Sequence, residues 1–345
     1  MTATTQLGPP GLDLARFGVW FADAAPDRVD GRLHATLIAG GKSNLTYRVG
    51  DGSRTWIVRR PPLGHVLATA HDMTREHRVM TALRDTAVPV PTTYALCSDP
   101  DVLGAVFYVM EDVPGTPYRR AEELVALGEE RTRAIATSMV DTLATLHEVD
   151  PVSVGLADFG RAEGFLARQV RRWKEQLDAS HTRDLPAAVE LHRLLEANVP
   201  EQSPGGIVHG DYRLDNVLTD DEDRPAAVID WEMATLGDPL TDLAVLVLYQ
   251  RLSHLTGGWS VADASSAPGF LTEDEILARY ATRSDRDLSR FGFYLGLAAY
   301  KLAVILEGIH YRHLHGQTIG PGFENVEAAV HPLLDAGLTR CKEHF

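Results

Sequence analysis

Residues 209–216 read HGDYRLDN, and VIDWE follows at 228–232. Between them lie two short strand-like runs, Val217–Thr219 and Ala226–Ile229, linked by the turn-forming stretch Asp220–Pro225. A hairpin brings its two open ends together. Asn216 enters the first strand and Asp230 leaves the second, so the spacing predicts that they sit side by side. An amide oxygen and a carboxylate are hard oxygen ligands that suit Mg²⁺. Asp211, just upstream, is placed to accept a proton from an attacking hydroxyl. An Asp, an Asn five residues on and a second Asp after a hairpin form the layout of kinase-type phosphoryl transfer. A polar turn with Asx caps would account for any one of these residues; the set at this spacing favours the chemistry.

Upstream, short strand-like runs occur at 34–39, 45–49, 55–60, 93–97 and 105–110, with the turn pair Asp51-Gly52 between the second and third. A helical pattern at 70–84 places Met73, His77, Met80 and Leu83 on one face. Residues 12–24 read as an amphipathic helix. Past Asp112-Val113-Pro114-Gly115 the pattern becomes helical, at 132–147, 161–178, 184–197, 238–253, 273–282 and 287–315. The expected fold is α+β and two-lobed: an N-lobe (1–111) with a small antiparallel five-stranded sheet, a hinge (112–115) and a larger, mainly helical C-lobe (116–345).

Composition narrows the partners. The 345 residues are 44% hydrophobic and 23% charged, which is ordinary for a globular chain. A formal net charge of −15 argues against nucleic acid or an anionic membrane as partner. Cys97 and Cys341 form no CxxC pair, and the N-terminus lacks a basic start followed by an apolar run. The apolar stretch 294–309 contains Lys301 and Glu307 and reads as a buried helix rather than a membrane span. A cytoplasmic protein is expected.

HGDYRLDN, VIDWE and GDPLTDLA (237–244) together resemble the aminoglycoside phosphotransferase and choline kinase group, which has a protein-kinase-like fold. The resemblance runs over about residues 30–315. GGKSNLTYRV (40–49), VRRPP (58–62), AHDMTREHRVM (70–80) and YVMEDVPG (108–115) look most like the kinase-like domains joined to some acyl-CoA dehydrogenases, and their free-standing bacterial relatives. It implies that Asp211 is the catalytic base, that Asn216 and Asp230 hold Mg²⁺, and that His209 braces the catalytic loop. Asp238 and Asp242 read as helix caps that also support that loop.

GGKSN is not a Walker A loop, because position 36 is Thr and a strand rather than a helix follows. It reads as a hairpin tip over the nucleotide phosphates, with Gly40 and Gly41 admitting the backbone and Ser43 and Asn44 donating. The resemblance further implies that Arg59 takes a position usually held by Lys, paired with Glu76. Strand alternation turns Arg60 to the opposite face. Glu111 to Val113 match the segment that meets the adenine edge, which points to ATP, with GTP also open.

The helical insert 161–178 carries Arg168, Arg171, Arg172 and Lys174 around Trp173, either a solvated basic face or an anion site. His310, His313 and His315 are spaced for a metal, but no acidic or Cys partner lies nearby in sequence. The expected function is an Mg-dependent small-molecule O-kinase, with a hydroxyacyl-CoA or similar metabolite as acceptor. The alternatives are an aminoglycoside kinase and a nucleotide-binding pseudokinase, for which Arg59 is the sequence support.

Overall fold

The computed structural model describes residues 8–26, 29–38, 44–63, 72–201, 203–255, 262–317 and 325–344. The chain divides into two compact units, residues 1–115 with 226–234, and residues 116–225 with 235–345. The protein has the expected mixed α+β, kinase-like fold.

The first unit is built on a five-stranded sheet. Its strands are β1 (His34–Leu37), β2 (Leu45–Gly50), β3 (Thr55–Arg60), β4 (Thr93–Cys97) and β5 (Phe107–Glu111), in the order β1-β2-β3-β5-β4. Each neighbouring pair is antiparallel. The β2–β3 turn forms because Asp51 accepts from the Ser53 and Arg54 amides, while Gly52 adopts φ +97°, a conformation that favours glycine.

Helix α1 (Leu14–Ala24) starts where Asp13 caps the amides of Ala15 and Arg16. It buries Phe17 and Phe21, four residues apart, in an aromatic cluster with Trp56 and Phe107. Helix α2 (Met73–Leu83) is capped by Asp72 and buries Met73, Glu76, Val79, Met80 and Leu83. A short α3 (Pro100–Leu103) precedes β5.

The second unit is mainly helical: α4 (Ala121–Leu127), α5 (Glu129–Glu148), α6 (Phe165–Ser180), α7 (Pro186–Ala197), α8 (Leu240–Leu255), α9 (Glu273–Ala281), α10 (Phe291–Leu314) and α11 (Val330–His344). Strands β6 (Gly206–Val208) and β9 (Thr235–Gly237) pair antiparallel, and β7 (Val217–Thr219) leads into the tight turn whose Asp220 accepts from the Glu222 and Arg224 amides, after which β8 (Pro225–Val228) passes into the first unit. Helix α10 is long and apolar enough to cross a membrane, but 72% of that window is buried inside the protein. It runs against α11, where any side chain at Gly296 would collide with Cys341. The sequence reading contains neither α4 nor β9 nor α11. β9 has only three residues, and in α11 two of the buried positions are small or thiol, Gly337 and Cys341, which blurs a helical apolar stripe.

Candidate active site

In the first unit the chemistry gathers on one face of the sheet. Antiparallel register sets Arg59 of β3 opposite Thr46 of β2 and Tyr108 of β5. Side chains alternate along a strand, so Arg59 and Arg60 diverge. Arg60 donates to the carbonyls of Gly11 at 2.6 Å and Leu103 at 2.7 Å. Arg59 instead meets Glu76 at 3.0 Å, pairs with Asp230, and lies 3.9 Å from Glu232.

Glu76 is 1% exposed and accepts from the Tyr108 hydroxyl at 2.8 Å and the Asn44 amide at 3.3 Å. The same Asn44 nitrogen donates to Glu232 at 2.9 Å. Burial drives the Glu76 carboxyl up to about 7 in spite of Arg59, and the Asp230 carboxylate adds to the rise. One guanidinium thus gathers three carboxylates.

Asp230 adopts φ 67° and ψ 58°, a left-handed conformation that an L-residue holds only at a cost. Glu111 uses its carboxylate to accept from the Thr92 amide at 3.1 Å, and Arg48 grips Asp112 at 2.6 and 3.0 Å. Val113 is partly buried in this segment. Gly40, Gly41 and Ser43 lie outside the described residues.

In the second unit the HGDYRLDN loop is braced from below. Asp242, fully buried in the first turn of α8, accepts from the backbone N–H of His209 at 2.6 Å and Gly210 at 2.8 Å. Asp238 does act as a cap, taking the Leu240 amide at 3.1 Å along with the Ser203 and Tyr294 hydroxyls. The Asp211 amide donates to His209 Nδ1 at 3.2 Å, which fixes the turn from below. Gly210 has φ +88°, so glycine is needed there.

The Asp211 side chain is 30% exposed, so it can reach a ligand. Its Oδ2 accepts from Arg213 Nε at 3.1 Å and from Asn216 Nδ2 at 3.1 Å. Asn216 also donates to the Asp211 carbonyl at 2.9 Å, so the amide nitrogen faces Asp211 and the carbonyl oxygen is the atom left for a metal. A free amide oxygen of this kind is a hard ligand that suits Mg²⁺. Arg213 continues to Asp215 at 3.1 Å and lies 5.2 Å from the Tyr249 ring centroid. Lys301 on α10 donates to the Gly210 carbonyl at 2.7 Å.

Asp211 and Asn216 are therefore brought together within the second unit, and Arg59, Glu76, Asn44 and Asp230 within the first. Glu232, Tyr108 and Arg213 had no role in the sequence reading. Glu232 and Arg213 sit inside the quoted motifs, two residues after Asp230 and Asp211, where a shared turn would have pointed to them. Tyr108 gave no signal short of the β3–β5 register. On the basic insert, Arg168 turns back to the carbonyls of Arg161 and Glu163, and Lys174 pairs with Asp178 at 2.6 Å. His310 faces Glu327 at 3.4 Å, and among the described residues no three His, Cys, Asp or Glu side chains are grouped to hold a metal.

The phosphotransferase enzyme family (APH) profile matches residues 34–267. Acyl-CoA dehydrogenase family member 11 of Rattus norvegicus is 34% identical over 314 residues, covering 89% of this chain and 40% of that protein. The chain thus spans about two fifths of the length of that curated relative. A candidate aminoglycoside phosphotransferase from Ralstonia eutropha superposes with a TM-score of 0.84 at 30% identity, over 96% of this chain and 99% of the other. A thermostable variant of aminoglycoside phosphotransferase APH(4)-Ia, solved with ADP and hygromycin B, shares the fold at a TM-score of 0.61 and 14% identity, over 95% and 99% of the two chains.

Proposed function

The chain belongs to the phosphotransferase enzyme family, and from that footing we propose that it is an Mg²⁺-dependent, ATP-using small-molecule O-kinase. The acceptor hydroxyl is carried by a hydroxyacyl-CoA or a similar metabolite. The observation that carries the reading is the Asp211 carboxylate, held by Asn216 on a loop whose backbone is pinned by a buried Asp242. Asp211 orients the acceptor hydroxyl and takes its proton. Asn216 and Asp230 are the metal-holding side chains. Bound Mg²⁺ supplies charge neutralisation on the phosphates. Arg59, fixed by Glu76, and the stretch Gly40, Gly41, Ser43 and Asn44 hold the nucleotide phosphates, while Glu111 to Val113 meet the base, with GTP as well as ATP open.

The acyl-CoA part rests on the dehydrogenase relative; the aminoglycoside kinase alternative rests on the structural relatives. The net charge of −15 and two buried free cysteines support a cytoplasmic enzyme with no nucleic-acid or membrane partner. A pseudokinase reading is favoured by one feature, the engagement of Arg59 with Asp230 as well as Glu76. ADP release separates the two. Asp211→Asn abolishes acceptor-dependent ADP formation and spares Mg-ATP binding if the protein is a kinase. Unchanged turnover in that variant removes Asp211 from the role of base, and nucleotide binding with no acceptor-dependent ADP favours the pseudokinase.

A further inference from the structure

Trp173 on α6 is 4% exposed, and two cations lie against its ring. The Arg172 guanidinium carbon is 5.5 Å from the centroid and Lys301 Nζ is 5.7 Å away. Lys301 is the residue whose ammonium reaches the Gly210 carbonyl at 2.7 Å, at the peptide unit that leads into Asp211. Neither cation forms an ion pair among the described residues. The two charges repel each other, and burial adds to that cost at Lys301, with Arg172 lowering its pKa further. Asp211 and Asp242 partly offset it, but Asp242 spends its oxygens on backbone N–H groups. Arg213 adds a third cation beside Asp211, with its NH1 buried and without a hydrogen-bond partner. Arg171 and Arg172 extend the positive surface along α6. A protein of net charge −15 therefore surrounds its base with cations.

We propose that the acceptor bears an anionic group, of the carboxylate or phosphate class, close to its reacting hydroxyl, and that Lys301 and Arg172 bind that group over Trp173; this selects a free hydroxy acid or a phosphorylated alcohol over the hydroxyacyl-CoA, whose thioester is neutral beside the hydroxyl. This deepens the kinase reading and rests on Asp211 being the base. A polycationic acceptor would meet repulsion at the same place, whereas an anion supplies the missing counter-charge and accepts hydrogen bonds from the ammonium and the guanidinium. Lys301 then couples acceptor binding to the loop it already holds through Gly210.

The test measures ADP release with Mg-ATP from hydroxybutyrate, its amide, the corresponding amino alcohol, glycerol phosphate and kanamycin. The expected order in kcat/KM is anion over amide by about tenfold or more, the worth of one charge-assisted hydrogen bond, with amines last. Arg172→Glu, a change at an exposed position, should remove the anion's advantage without altering the unfolding midpoint. Lys301→Met should lower kcat as well as raise KM for the acid. Preference for the carboxylate or for glycerol phosphate identifies the class. Preference for the amines, or an Arg172→Glu protein with the wild-type order, overturns the inference while leaving the kinase reading intact. Should no alcohol be phosphorylated, saturation-transfer NMR of the same compounds on the ADP-bound protein decides it. Binding by the anions and not the amines upholds the inference even if the kinase reading falls; the reverse, or binding by neither, overturns it.

Discussion

Glu76 and Asp242 are both almost fully buried carboxylates, one in each unit, and they respond to burial in opposite ways. Burial lifts Glu76 to about 7, because its partners are side chains and the neighbouring Asp230 carboxylate opposes its charge. Burial pushes Asp242 upward too, but His147, His209 and the Gly210 amide more than reverse the effect and hold it below the usual Asp value. Two short backbone N–H bonds cannot rearrange without moving the loop itself. On the proposed reading the Arg59 cluster is an exchangeable set of charges, able to trade carboxylates for phosphates, whereas the Asp211 loop is held by a fixed frame. Binding and release need the first kind of site, and orientation of a base needs the second.

The largest effect that would break this contrast comes from Asp242→Ala. It strands two loop N–H groups and should cost about 3–5 kcal/mol, as for a buried charge interaction broken from one side. Urea denaturation measures it, and a loss below about 1 kcal/mol would mean the frame is not fixed. Arg59→Gln comes next. It removes both the charge and the fork that spans Glu76 and Asp230. KM for ATP should rise several-fold, with Arg59→Lys, the residue usual at this position, restoring much of the loss; an unchanged KM in Arg59→Gln would remove Arg59 from the phosphate site.

The pH dependence sharpens the same comparison. Glu76 has a folded value of about 7 against 4.5 for the free group, so its contribution to stability is full below 4.5, falls as pH rises towards 7, and is level above that. Glu76→Gln should flatten the stability profile over that window. Asp242 has the opposite sign: its contribution is present above 3.8 and is lost as pH falls through its lower folded value. The smallest effect is expected at Glu275, exposed at the start of α9, where Arg133 and the Thr272 amide and hydroxyl lower the carboxyl to about 2. Its contribution is present above 4.5 and lost as pH falls towards 2, so Glu275→Gln should shift only the acid limb of the unfolding curve.

Much of this was legible in sequence, for physical reasons. The five strands were marked by β-branched and aromatic runs and by an Asp-Gly turn, and the kinase-like fold by a motif whose spacing few other structures need. The choice of Arg59 came from the family resemblance, with strand alternation turning Arg60 to the other face, and Arg60 does turn to the Gly11 and Leu103 carbonyls. Asp242 was read as a helix-opening cap that also supports the HGDYRLDN loop, and its oxygens do take the His209 and Gly210 amides about thirty residues upstream; that second role came from the family resemblance, since spacing alone reveals only the cap. Tyr108 and Lys301 were illegible as partners because each meets its target across the fold, through strand register in one case and helix packing in the other.

The most direct test of the central claim is ADP release by the protein with Mg-ATP and a panel of hydroxyacyl-CoAs, free hydroxy acids, glycerol phosphate and aminoglycosides, run beside Asp211→Asn. ADP formation that depends on an acceptor and disappears in the variant, with Mg-ATP affinity retained, is the predicted result. Acceptor-dependent turnover that persists in Asp211→Asn, or Mg-ATP binding with no acceptor-dependent ADP from any compound, would contradict it.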